Sequence, residues 1–439
     1  MRTARVVHVG ACSLSFGVGA LVDAIHTPEL RGSTLVLVDT NEEHLELQYR
    51  LAQRLNEESG AGLVIQCTTD RREALPGADF VICSIAIRRN ELWKRDWEIP
   101  LKHGLEQVLG ENGGPGGLSH TLRNVPLILD LCRDMEELCP AALLLNFTNP
   151  ESRLCLAIKR YTRIQAVGLC HGVFMGRDLV AEVTGLPPED VNVKAAGLNH
   201  FLWILDMRNK QTGEDLYPAF RQRMAAKSPS FMPLTRHMLE TFGYLVAPSD
   251  DHIGEYLPAA WELCQHSGYD FDAADREYEQ HWRRMAEYAS GEASVDHLLQ
   301  ARSGEIAFDI IAAVLADKNM LALAVNVPNN GCIANLPSDC VVEVPALVSA
   351  AGVQPVCMGE LPRGAAALCA QQVAVQDLAV EAAAKGDRSL ALQALLADPV
   401  VKGNYRAARA TLDELLEVHA PYLPQFASSD GPTHPTTVD

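Results

Sequence analysis

The chain is short of positive charge. Its 439 residues carry 37 Lys and Arg against 56 Asp and Glu, a formal net charge of −19, and no Lys/Arg-rich run breaks that balance. Binding a nucleic-acid backbone or an anionic membrane surface takes clustered cations, so neither is an expected partner. Long apolar runs are lacking too: nothing approaches the roughly 20 residues of a membrane span. Residues 1–9 already read as a strand, without the charged start, apolar middle and cleavage site of a secretory leader. The 12 cysteines lack the close paired spacing of a zinc module, and Cys67, Cys83, Cys155 and Cys340 lie inside apolar runs. The expected compartment is therefore a reducing cytoplasm, with most thiols buried.

What is present is an ordinary globular composition, 48% hydrophobic and 21% charged, in a chain long enough for two or three domains. The first third alternates strand and helix. Arg5-Val6-Val7-His8-Val9 runs into a glycine turn, Gly10 to Gly19, and then a helix, the order that aims backbone N–H groups at a pyrophosphate. Cys12 stands where a second glycine would let the backbone approach the phosphates. The next strand, residues 34–38, ends in Asp39, placed to accept hydrogen bonds from ribose hydroxyls and to repel a 2′-phosphate, which favours NAD over NADP. Further strands at 62–67 and 78–84 extend a doubly wound pattern. Residues 87–117, polar and glycine-rich, read as a long loop at the ligand crevice.

Two short pieces then carry chemistry: Gly168-Leu169-Cys170-His171-Gly172 and Gly197-Leu198-Asn199-His200. Cys170 and His200 are metal-ligand types, and two ligands leave positions open for substrate oxygens or water, unlike a closed four-ligand structural site. The plainer reading is a buried thiol and a packed imidazole. Asn149, before a proline at a strand end, is a candidate for a substrate hydroxyl or a turn residue. Asp250, Asp251, His252 and Glu255 crowd one segment, which reads either as a helix cap or as proton-transfer groups.

These motifs, with Asn149-Pro150, Val325-Asn326-Val327-Pro328-Asn329, Asn335-Leu336-Pro337 and Val342-Glu343-Val344-Pro345, fall in an order that resembles glycoside hydrolase family 4. The resemblance implies an α/β fold: a Rossmann-like doubly wound sheet (1–190), then a mixed α/β substrate and oligomerisation domain (191–427); residues 428–439, small, polar and proline-bearing, read as a disordered tail. It implies bound NAD, at Gly10, Cys12, Ser13 and Asp39, and a divalent ion such as Mn2+ held by Cys170 and His200. It also implies a redox-assisted elimination in place of the two-carboxylate scheme. His171 matches the position of the acid in some relatives, and Asp251 is the expected base. Asn149, Asn199, Glu111 and Asn112 are the expected substrate contacts. Cys-His at 170–171 resembles the branch acting on free α-glucosides or α-galactosides, with α-uronides and a malate- or lactate-type dehydrogenase as alternatives. Relatives of this kind suggest a homodimer or homotetramer. Cys12, Glu111-Asn112-Gly113 and His120 depart from the family pattern.

Overall fold

The computed structural model describes residues 2–265 and 268–427; the tail at 428–439 lies outside the described residues. Six strands build its first half: β1 (Arg5–Val9), β2 (Thr34–Val38), β3 (Val64–Thr68), β4 (Phe80–Cys83), β5 (Leu143–Asn146) and β6 (Gln165–Gly168). They pair in parallel in the order 3-2-1-4-5-6, the doubly wound arrangement that the strand–helix alternation predicts. Helices cover both faces, so central strands are apolar on both sides, and Val7, Leu37, Val81 and Leu144 are fully buried. Asn41 caps the Glu42–Ser59 helix by accepting from His44 N, and Gly60 ends it in the left-handed region.

The second half is antiparallel. It comprises β7 (Val191–Leu198), β8 (Phe201–Asn209), β9 (Leu245–Ala247), β10 (Met320–Pro328), β11 (Val341–Ser349) and β12 (Gly352–Pro355). β10 meets the parallel sheet through one bridge, Asn326 to Gly168, and the β7–β8–β9 ribbon meets β11 through another, Glu343 to Gly197. One transverse row therefore threads the sheet: Val38, Val9, Cys83, Asn146, Gly168, Asn326, Glu343, Gly197, Leu202, Ala247. Gly10, Asp39, Cys170, Asn199 and His200 all lie within three residues of it. The C-terminal Arg363–Lys385 helix returns to pack on the Gly114–Leu138 and Glu151–Tyr161 helices, sharing their core through Ala379 and Val380.

Three local expectations are corrected. Residues 87–117 are not one loop: Arg89–Lys102 is a helix whose buried Leu92, Trp93, Asp96 and Ile99 mark a helical stripe obscured by interleaved charge. A second helix starts at Gly114. Residues 333–343 read from the sequence as a strand, but 333–340 are not one, because the Asn329 amide donates to the carbonyls of Ile333, Leu336 and Pro337 and curls the chain around itself. The Tyr405–Val418 helix was not anticipated.

Candidate active site

At the nucleotide end, Gly10 has φ +83°, and a Cβ there would come within 2.5 Å of the Ser84 carbonyl oxygen, so the turn requires glycine. The turn closes on itself: Ser13 N donates to Gly10 O at 3.0 Å and Gly17 N to Ser13 O at 2.8 Å. The Ser13 hydroxyl accepts from Phe16 N at 3.4 Å. Asp39 reaches across from β2, accepting from Cys12 N at 3.0 Å and from Asn41 N at 3.1 Å. Burial, reinforced by the Asp39 charge, pushes the Cys12 thiol up and keeps it protonated. Gly10, Cys12, Ser13 and Asp39 thus sit together at the ends of β1 and β2, beside the start of the Gly17–Ile25 helix.

The other end is built around the two single-residue bridges. A Cβ on Gly168 would lie 1.6 Å from Glu151 Oε1, so the bare backbone of β6 makes room for a buried carboxyl. Asn326 donates to Glu151 Oε2 at 3.1 Å. Two residues past Gly168, Cys170 is pushed well up by burial and then by Glu343 and Glu151, and it accepts from Gly172 N at 3.4 Å. Burial also raises Glu343, to about 8.

Asn199 and His200 form the two-residue turn between β7 and β8, with His200 at φ +60°, a region histidine enters more readily than most side chains. His200 is 6% exposed, and its ring lies 4.4 Å from that of His252. Burial, then the neighbouring His252, lowers its pKa, which suits a neutral imidazole ligand.

The polar atoms here are incompletely paired. Asn199 Nδ2 and Oδ1, His200 Nδ1, Asn326 Oδ1, Glu343 Oε1 and Glu151 Oε1 are buried without a hydrogen-bond partner. Such groups are rare in finished cores and each costs about 1–3 kcal/mol. A thiol, an imidazole and unpaired amide and carboxyl atoms fit a cation with polar ligands around it. Among the described residues no group of three or more His, Cys, Asp or Glu side chains could hold a metal ion, so a cation on Cys170 and His200 would take its other oxygens from substrate or water.

The flanking groups are as follows. His171 is 40% exposed on its side chain, with Nδ1 3.6 Å from Glu305 Oε1. Burial, helped by Asp23, raises Glu305 to about 7. Asp251 Oδ1 faces His252 Nδ1 at 3.0 Å and accepts from His252 N and the Ser249 hydroxyl. Against the upward push of burial, these bonds hold Asp251 below the usual carboxylate range, and Asp251 in turn raises His252. Asp250 caps the Pro233–Phe242 helix through Leu234 N and Thr235 N. Glu111 lies 3.5 Å from Arg89, and Asn112 Oδ1 accepts from Glu151 N at 3.3 Å. Asn149 precedes a cis peptide to Pro150 and holds Asn124 Nδ2 through its carbonyl oxygen. His120, 3.0 Å from Asp96, belongs to a buried cluster with Arg123 and His419.

Sequence reasoning passed over Glu151, Asn326 and Glu343 as site residues. A buried polar residue inside an otherwise apolar strand, Asn326 in β10 and Glu343 in β11, was the available clue. Glu255 was grouped with its acidic neighbours, and nothing local to it tells of the amides it holds.

Residues 5–186 match the model of family 4 glycosyl hydrolases, and residues 195–401 match that of the family 4 glycosyl hydrolase C-terminal domain. An α-glucosidase of Erwinia rhapontici is 33% identical over 391 residues, covering 80% of this chain and 83% of its own. An α-galactosidase of Bacillus subtilis (strain 168) is 30% identical over 367 residues, covering 80% and 82%. A crystal structure of a 6-phospho-α-glucosidase from gut microorganisms, in complex with NAD and Mn2+, superposes with a TM-score of 0.85 at 22% identity, covering 97% of this chain and 100% of that one.

Proposed function

The chain belongs to glycosyl hydrolase family 4, and on that premise we propose that it hydrolyses the O-glycosidic bond of a non-phosphorylated α-glucoside or α-galactoside, using NAD and a divalent cation, with Mn2+ the first choice. The observation that carries the reading is the set of unpaired buried polar atoms around Cys170, Asn199 and His200, at the bridge between the two sheet halves. When bound, NAD and the cation supply, respectively, reversible oxidation at C3 of the sugar and Lewis-acid polarisation of the C2 and C3 oxygens.

The chain's own residues do the rest. The Gly10–Gly17 turn, at the start of the Gly17–Ile25 helix, would lie beside the pyrophosphate, and Asp39 would accept from the adenosine ribose hydroxyls. Cys170 Sγ and His200 Nε2 would hold the cation. Asn149, Asn199, Glu111 and Asn112 hydrogen-bond sugar hydroxyls. Asp251 accepts the C2 proton, with His252 hydrogen-bonded to its Oδ1 and orienting it. His171, half-exposed beside Cys170, donates a proton to the departing C1 oxygen. Neither ring nor carboxylate is consumed, because as water adds at C1 His171 takes up its proton and Asp251 returns one to C2. The neutral-sugar reading rests on the Cys170-His171 pair and on relatives that include an α-glucosidase and an α-galactosidase.

The test is hydrolysis of p-nitrophenyl α- and β-glucosides, galactosides and glucuronides in deuterium oxide with NAD, Mn2+ and reductant. Chromogen release from an α-glucoside or α-galactoside, with deuterium at C2 of the product, is expected. Release without C2 deuterium overturns the elimination chemistry, and release from a glucuronide alone reassigns the sugar. NADH accumulating without chromogen points to a dehydrogenase.

A further inference from the structure

Glu255 is fully buried and makes an unusual set of contacts. Its Oε2 accepts three consecutive backbone N–H groups, those of Glu111 at 2.7 Å, Asn112 at 2.5 Å and Gly113 at 3.1 Å. The close approach is built in, since a Cβ on Gly113 would lie 2.4 Å from the Glu255 carbonyl oxygen. Its other oxygen, Oε1, has no hydrogen-bond partner and lies 3.6 Å from His200 Nδ1, which has none either. That separation is just beyond a hydrogen bond. A closure of less than 1 Å would satisfy two buried atoms at once.

We propose that Glu255 is the positioning residue for His200, fixing its tautomer and tying it to the loop that carries Glu111 and Asn112. This rests on His200 being a cation ligand. A carboxylate oxygen only accepts, so facing Nδ1 it requires the proton on that nitrogen and leaves the Nε2 lone pair free for a cation. A glutamine could turn its amide N–H toward Nδ1, favouring the tautomer in which Nε2 is protonated and cannot ligate. The same carboxylate spans both partners, so fixing Oε1 on His200 also fixes Oε2 against the three amides. Cation binding and ordering of residues 111–113 are thereby linked: whatever stabilises one stabilises the other to the same extent.

The test uses the full chain with NAD present and MnCl2 as the probe, reading free Mn2+ by electron paramagnetic resonance. Glu255→Gln is expected to raise the Mn2+ dissociation constant about 10- to 100-fold with NAD affinity unchanged, and Glu255→Asp, which keeps the acceptor, to recover part of the loss. Cys170→Ser is the reference. If Cys170→Ser weakens Mn2+ and Glu255→Gln does not, the Glu255 role is overturned while the ligand assignment stands. If Cys170→Ser leaves Mn2+ binding unchanged, the ligand assignment fails and this inference with it. Should Glu255→Gln not fold, hydrogen exchange in the wild type decides: amides 111–113 are expected to exchange more slowly with Mn2+, and an unchanged rate overturns the linkage.

Discussion

The two ends of the crevice are finished to different degrees. At the nucleotide end the Gly10–Gly17 turn satisfies itself through backbone hydrogen bonds, and both oxygens of Asp39 are already taken by amides. At the sugar end six buried atoms on Asn199, His200, Asn326, Glu343 and Glu151 have no partner. A turn that closes on itself can be specified by a few glycines and one acid. A site that leaves groups unpaired in a core must be held by its surroundings, here the two bridges and the close-packed glycines at 168 and 113. The Gly10–Gly17 turn is complete as a local fold, whereas the Cys170–His200 end, the proposed sugar site, leaves polar groups open.

The strongest break of that contrast is at Cys170. Cys170→Ser should lower the rate of glycoside hydrolysis at saturating Mn2+ by about 1,000-fold, the loss of several kcal/mol of charge stabilisation. Its thermal stability should hardly move, because the unpaired site contributes little to the empty fold. A large fall in Tm with activity retained would invert the comparison. Asp39→Ala should act on the other end alone: the NAD concentration for half-maximal chromogen release should rise about 10-fold, as for a lost charge-assisted hydrogen bond, with kcat kept at saturating NAD. Unchanged NAD dependence would remove Asp39 from the ribose.

A third effect, read in stability and not in rate, lies on the segment that crosses the Gly17–Ile25 helix, where the Ser303 hydroxyl and amide hold Asp23. Glu305 there has a folded-state pKa of about 7, above the ordinary value of a glutamate. The folded chain therefore keeps a proton that the unfolded chain loses. Its contribution is fully present below about pH 4.3 and is lost as pH rises to about 7, by at most about 1.4 kcal/mol per pH unit. Glu305→Gln should flatten the decline of Tm with pH over that window, and an unchanged slope would place the effect elsewhere.

The nucleotide end was legible because its chemistry is local. Gly10, the turn and Asp39 are read along the chain, and each follows a continuous apolar strand. Cys170 and Asn199-His200 were legible for the same reason, as short polar pieces after apolar runs. Glu255 was not, since its meaning comes from amides about 143 positions away in sequence. Glu151 escaped because it looks like an ordinary first-turn helix acid, and only the missing Cβ of Gly168 reveals that it leans into the sheet. The Arg89–Lys102 helix was hidden because its buried face includes Asp96, which the Arg123 guanidinium neutralises from another helix. In each case the decisive partner is remote in sequence, so no local window contains the information.

The bridges have a mechanical consequence. Asn326 to Gly168 and Glu343 to Gly197 are single ladder pairs, where other strands are paired along their length. Side chains close the rest of the seam: the Glu151–Tyr161 helix packs on both β10 and β11, and one apolar core runs from Leu35 and Ile82 to Val325 and Val344. The side chains at the two pairs, Asn326 and Glu343, belong to the polar cluster around Cys170. The seam between the two halves and the candidate site therefore share the same few residues, and a side chain added at Gly168 or Gly197 would strain both at once.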